Sequence, residues 1–252
     1  MRSNKLFILF IMFFSITFAK SSVDDLMKKA NDLYVQGQFE DAIKIYNSLI
    51  GEGYEGTSLF YNLGNAYYRT GKIGYAILYY EKALKHSPDD EDVMHNLQLA
   101  QLNIVDKIEA LPSFFVFRIW ETVLGFFSSE GWLILSYILL LVVLFALGFY
   151  FFAQNITQQR IAFYSFVFVL VLFFASVSLM IVKLNQEENL RFGVVLESSL
   201  TAKSSPDPQG KDAFVIHEGL KVRVEDKVDK WVKIRLEDGQ VGWVENFSVG
   251  II

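Results

Sequence analysis

Three histidines, His86, His95 and His217, are the chain's whole supply of imidazole, and cysteine is absent from its 252 residues. Without thiols there are no disulfides, no thiolate metal sites and no cysteine nucleophile. His86 and His95 flank the Ser87-Pro88 break, so they do not stand one helical turn apart as a ligand pair would. Neither H-E-x-x-H, nor G-x-S-x-G, nor a Walker loop occurs. Gly51-Glu52-Gly53-Tyr54-Glu55-Gly56 has the dinucleotide spacing G-x-G-x-x-G, but no strand precedes it, and that fingerprint needs strand, loop and helix in order. Carboxylates gather in runs such as Asp89-Asp90-Glu91-Asp92, which suit a solvated face or a helix start. We therefore expect no catalytic residue, no metal site, no cofactor and no enzymatic activity.

Groups suited to recognition are denser. Tyr61, Asn62, Asn65, Tyr68 and Arg69 recur at helical spacing and join aromatic, amide and guanidinium chemistry on one face. They form the candidate partner-binding set; simple solvated surface is the alternative. Trp231 and Trp243 are the candidate partner- or ligand-binding aromatics of a separate, β-patterned region. Net charge is −5 and no segment is strongly basic, which argues against a nucleic-acid partner.

The first set sits in an internal repeat. Val23–Gly56 laid over Thr57–Asp90, a period of 34 residues, is expected to put Leu26 on Phe60, Ala30 on Leu63, Tyr34 on Tyr67, Ala42 on Ala76, Tyr46 on Tyr80 and Leu49 on Ala83. Each unit, 23–56 and 57–90, reads as two helices about a short turn, Gln36-Gly37-Gln38 or Thr70-Gly71-Lys72. On Phe60, Leu63, Gly64, Tyr67, Ala76, Tyr80, Ala83 and Pro88, the second unit resembles a tetratricopeptide repeat (TPR). The first departs from it, with Asn31 where Gly is usual and Tyr54 where Pro is usual. Two units cannot cover their own faces, and Val93, Leu97, Ala100, Ile104 and Ile108 predict a capping helix over 91–108, within a TPR domain of 20–110. Some TPR domains hold a C-terminal carboxylate in a clamp of Lys, Asn and Arg. Asn62 matches one clamp position, but Asp32, Asp92 and Asn96 occupy others, so the resemblance implies a neutral or basic peptide in this groove.

Other segments belong to a membrane. Arg2 and Lys5 precede the apolar run Leu6–Phe18, closed by Ala19, which predicts a signal peptide over 1–19, cleaved or retained as an anchor. Phe114–Phe127 confines Arg118, Glu121, Thr122 and Gly125 to one narrow stripe, the pattern of a helix lying in the membrane interface. Residues 132–153 and 161–182 each run 22 residues without a charge and predict two transmembrane helices. The connector 154–160 carries Arg160 and no acid, which places it in the cytoplasm and both flanking domains in the periplasm.

Over 192–252 the texture turns to short Val- and Ile-rich runs with Asp238-Gly239 as a hairpin signal, giving five or six strands. With His217-Glu218-Gly219-Leu220-Lys221-Val222, Trp231-Val232-Lys233-Ile234 and Gly239-Gln240-Val241-Gly242-Trp243-Val244, the region resembles a bacterial SH3 (SH3b) domain, which implies a small all-β barrel. Trp231 is open to two roles, ligand platform or barrel packing. The whole is thus a multidomain membrane protein: all-α TPR hairpins, two transmembrane helices and an SH3-like barrel.

In that order of parts the chain resembles the BatE family of the Bacteroides aerotolerance (Bat) proteins. The resemblance implies a bacterial inner-membrane protein acting beside a MoxR-type ATPase and von Willebrand A-domain membrane proteins. Two functions fit: a non-enzymatic scaffold that docks proteins of an envelope complex through its TPR and SH3b modules, or a cell-wall tether whose SH3b domain binds peptidoglycan.

Overall fold

A computed structural model describes residues 23–108, 114–189 and 191–252; the expected signal peptide lies outside the described residues. The 34-residue period is built as paired helices, α1 (23–35) with α2 (Phe39–Gly51) and α3 (Thr57–Arg69) with α4 (Ile73–His86). Both pairs turn through a glycine in the left-handed region, Gly37 at φ 79° and Gly71 at φ 75°, a conformation glycine adopts without penalty. The amide after each glycine bonds back into the helix, Gln38 N–H to the Leu33 carbonyl and Lys72 N–H to that of Tyr67. Ala30, Ala42, Ala66, Ala76 and Ala83 are wholly buried between the helices, with Tyr46 and Tyr80 beside them.

The period is 34 throughout, so Ala30 stands over Gly64 and Tyr34 over Tyr68, one residue beyond the expected Leu63 and Tyr67. The small residue of the first unit is therefore Ala30, and Asn31 is the counterpart of Asn65.

Asp90 caps α5 (Glu91–Gln101) by accepting from the Val93 amide at 3.1 Å. The expected helix to 108 stops at Gln101, where the Asn103 side chain takes over the Leu99 and Ala100 carbonyls. Ile104 and Ile108 are apolar because they meet other apolar groups: Ile104 packs on the helical core and Ile108 on the core of the C-terminal sheet.

That sheet has seven antiparallel strands: β1 (Arg191–Val195), β2 (Leu200–Lys203), β3 (Asp212–Ile216), β4 (Lys221–Val228), β5 (Trp231–Arg235), β6 (Val241–Glu245) and β7 (Val249–Ile251). Their order is β3-β2-β6-β5-β4-β1-β7, an unclosed sheet with one strand more than expected. The Asp238-Gly239 turn joins β5 to β6, with Val232 opposite Val244 and Ile234 opposite Gly242. Val222, Val232, Ile234 and Val244 form its core, and the register shift between Val224 and Asp226 ends the alternation of β4.

The repeats and the sheet fall in one compact unit, and 111–191 forms a second. The shared core explains the first: Val194 of β1 is fully buried in the helical cluster, with Leu196 and Ile252 against it.

The second unit holds α6 (Phe115–Gly125), α7 (Ser129–Phe152) and α8 (Ile156–Asn189). On α6 only Leu124 is buried, while Phe115, Phe117, Ile119 and Trp120 are exposed. The α7 and α8 helices are long and apolar enough to cross a membrane. Ser136 and Ser176, both buried, share a 2.8 Å hydrogen bond between them. The expected connector 154–160 shrinks to 153–155, because Asn155 caps the next helix, accepting from the Gln158 amide at 2.9 Å. Arg160 is therefore a helical residue of α8.

Candidate functional site

The repeat places one polar motif twice. In the first unit the Asn31 Oδ1 accepts from the Tyr46 hydroxyl at 2.6 Å and from the Asn62 amide at 3.0 Å. Thirty-four residues on, the Asn65 Oδ1 accepts from the Tyr80 hydroxyl at 2.7 Å and from the Asn96 amide at 2.9 Å. Asn96 also donates to the Tyr61 hydroxyl at 2.9 Å. The result is an asparagine–tyrosine ladder crossing from α1 to α5, each rung tying a first helix to its own partner and to the next unit. Burial pushes the Tyr46 phenol up to about 12, and raises Tyr80 as well. Both phenols thus remain donors at neutral pH.

Between the rungs lies a cavity of about 230 Å³ lined by Asn31, Tyr34, Val35, Tyr46, Asn62 and Asn65. Among the described residues no charged side chain lines it. Its polar groups are amides and phenols, and Val35 stands at its rim 84% exposed. Such a pocket suits an uncharged side chain of a bound segment, presented with backbone that amides can bond.

Of the five expected groove residues, Asn62 and Asn65 line this cavity. Tyr61 stands one rung further along, held by Asn96 and 6.1 Å from the Tyr80 ring. Tyr68 packs against the helical core. Arg69 is turned aside, its guanidinium 4.7 Å over the Phe39 ring. Asn31, Tyr34, Val35 and Tyr46 line the cavity outside the expected set, although the spacings Asn31/Asn65, Tyr46/Tyr80 and Asn62/Asn96 are visible in the sequence.

The second expected set is divided. Trp231 is only 7% exposed and pairs with Val228 and Glu245, outside the apolar cluster of the sheet. Trp243 is half-buried between Lys203 of β2 and Lys233 of β5.

The His217-Glu218-Gly219 string lies at neither aromatic. It clasps the sheet to the repeats. Asp106 accepts the His217 amide at 2.6 Å and faces its ring Nδ1 at 2.9 Å. Glu218 accepts the Gly74 amide at 3.2 Å, and Lys221 reaches Glu81 at 2.8 Å. A Cβ on Gly74 would sit 2.6 Å from the Val195 carbonyl, so only glycine lets α4 approach the sheet this closely. Among the described residues no three His, Asp or Glu side chains converge as metal ligands would.

A tetratricopeptide repeat family model matches residues 27–91. Residues 27–91 are accordingly a TPR region, and TPR repeats suggest a role in protein–protein interaction. No curated protein matches the chain.

Proposed function

We propose that the protein is a non-enzymatic membrane scaffold, anchored by α7 and α8, whose repeats and sheet together dock protein partners. The observation that carries this reading is the uncharged cavity over the asparagine–tyrosine ladder, open at Val35. The order of parts supports a bacterial inner-membrane location with the TPR region and an SH3b-like sheet in the periplasm, among proteins of an aerotolerance-type envelope complex. Fusion of the two regions into one unit supports a single docking body rather than two independent arms. The wall-tether reading is weakened by the burial of Trp231, which leaves that ring little face to offer a ligand.

The test is co-purification from native membranes. Val35→Asp places a charge at the rim of a neutral cavity without touching the ladder, so partners that copurify with the wild-type chain are expected to be lost while its helicity is unchanged. Retention of the same partners would place the contact elsewhere.

A further inference from the structure

The second unit carries a cavity of about 310 Å³ at the hairpin end of α7 and α8, lined by Tyr150, Ile156, Gln159, Arg160, Phe163 and Tyr164. Five of the six come from one face of α8, at positions i, i+3, i+4, i+7 and i+8. Tyr150 closes it from the end of α7, its ring 6.4 Å from that of Phe163, which is 5.9 Å from Tyr164. The three-residue turn that sets the two helices side by side is fixed by the Asn155 cap.

Arg160 is the sole charge between residues 131 and 182, and no acid occurs from 131 to 186. The acids of the two helices, Glu130, Glu187 and Glu188, therefore stand at least 27 residues from it along the chain. A lone guanidinium, two phenol hydroxyls and a carboxamide around an apolar floor form a site for an anion attached to an apolar body. The position selects the source. Arg160 lies four residues into α8, ~6 Å from its start at ~1.5 Å per residue, followed by apolar sequence that enters the hydrocarbon. That is the depth of the headgroup layer, where basic and aromatic residues meet phosphate.

We propose that this cavity binds the phosphate headgroup of an anionic phospholipid, with Arg160 as its counter-charge and Tyr150, Tyr164 and Gln159 as further donors. The inference rests on the reading of α7 and α8 as membrane spans. It explains why a single arginine stands in the first turns of α8, with no other charge from 131 to 182.

The full chain is purified from membranes and titrated with phosphatidylglycerol or phosphatidylcholine, and bound lipid is counted by native mass spectrometry. Alkaline carbonate extraction first reports whether the chain is integral. Extraction into the soluble fraction would overturn the membrane reading, and this proposal with it. For an integral chain, phosphatidylglycerol is expected to bind with about fivefold preference, the worth of roughly one basic residue at an anionic surface. Arg160→Gln is expected to remove the preference, Lys183→Gln to keep it, and millimolar inorganic phosphate not to compete. Equal binding of both lipids, a preference that survives Arg160→Gln, or displacement by free phosphate would each overturn the proposal.

Discussion

Asp106 accepts the backbone N–H of His217 at 2.6 Å across 111 residues of sequence, and its second oxygen faces the ring of the same histidine. One carboxylate from the segment after α5 thus holds the start of the Glu218-Gly219 turn that presses on α4. Asp106→Ala leaves the His217 amide without its acceptor, a loss of about 1–3 kcal/mol for a partly buried donor. Amide hydrogen exchange is expected to speed up in β3 and β4 and to stay unchanged in α2. Unaltered protection of β3 and β4 would mean that the clasp is incidental.

The ladder predicts an order of costs. Asn65 accepts from the buried Tyr80 hydroxyl and from Asn96, whereas Asn62 donates a single exposed bond. Asn65→Ala should therefore cost about 1–3 kcal/mol, by stranding a buried hydroxyl, and Asn62→Ala about 0.5–1.5 kcal/mol. Chemical denaturation of the two variants checks the order. Replacing Tyr61, Asn65 and Arg69 together would remove rungs as well as surface, so Val35 is the cleaner site for a binding test.

Gly74 tests the packing of helices on sheet. Gly74→Ala puts a methyl group against the Val195 carbonyl and is expected to destabilise by about 1–3 kcal/mol. Gly51→Ala, whose Cβ would meet nothing within 4 Å, should be neutral or slightly stabilising. Equal melting temperatures for the two would deny the close approach of α4.

Alkali should unfold the repeats before the sheet. Tyr46 and Tyr79 are both pushed up to about 12 by burial, while an unfolded tyrosine titrates near ~10. With the folded value above the unfolded one, the stabilisation is complete below about pH 10 and is lost as the pH rises from there to about 12. Phenolate absorbance and helical circular dichroism, followed together, are expected to change in that window. Ionisation of all tyrosines near pH 10 with helicity intact would contradict the burial of Tyr46 and Tyr79.

How much of this was legible in the sequence depended on the range of the contact. The helix pairs, their turns and most strands were readable because periodicity and turn chemistry are local: Gly37, Gly71 and Asp238-Gly239 each announce a turn within a few residues. Ile104 and Ile108 misled, since apolar residues at helical spacing look alike whether they extend a helix or meet a sheet. Asn31 looks like a departure from the repeat, but a strict count of 34 makes it the partner of Asn65. The clasp had no local sign. His217, Glu218 and Lys221 find Asp106, Gly74 and Glu81 only once the strands return the chain to α4, and nothing in either segment marks the other.

A photocrosslinking amino acid placed at Val35 in native membranes tests most directly whether the ladder cavity docks a protein. Lys44 is the control, an exposed residue of α2 that pairs with Asp41 and does not line the cavity. The account predicts a discrete protein adduct from position 35 and none from position 44. No adduct at 35, or the same adducts at both, would contradict it.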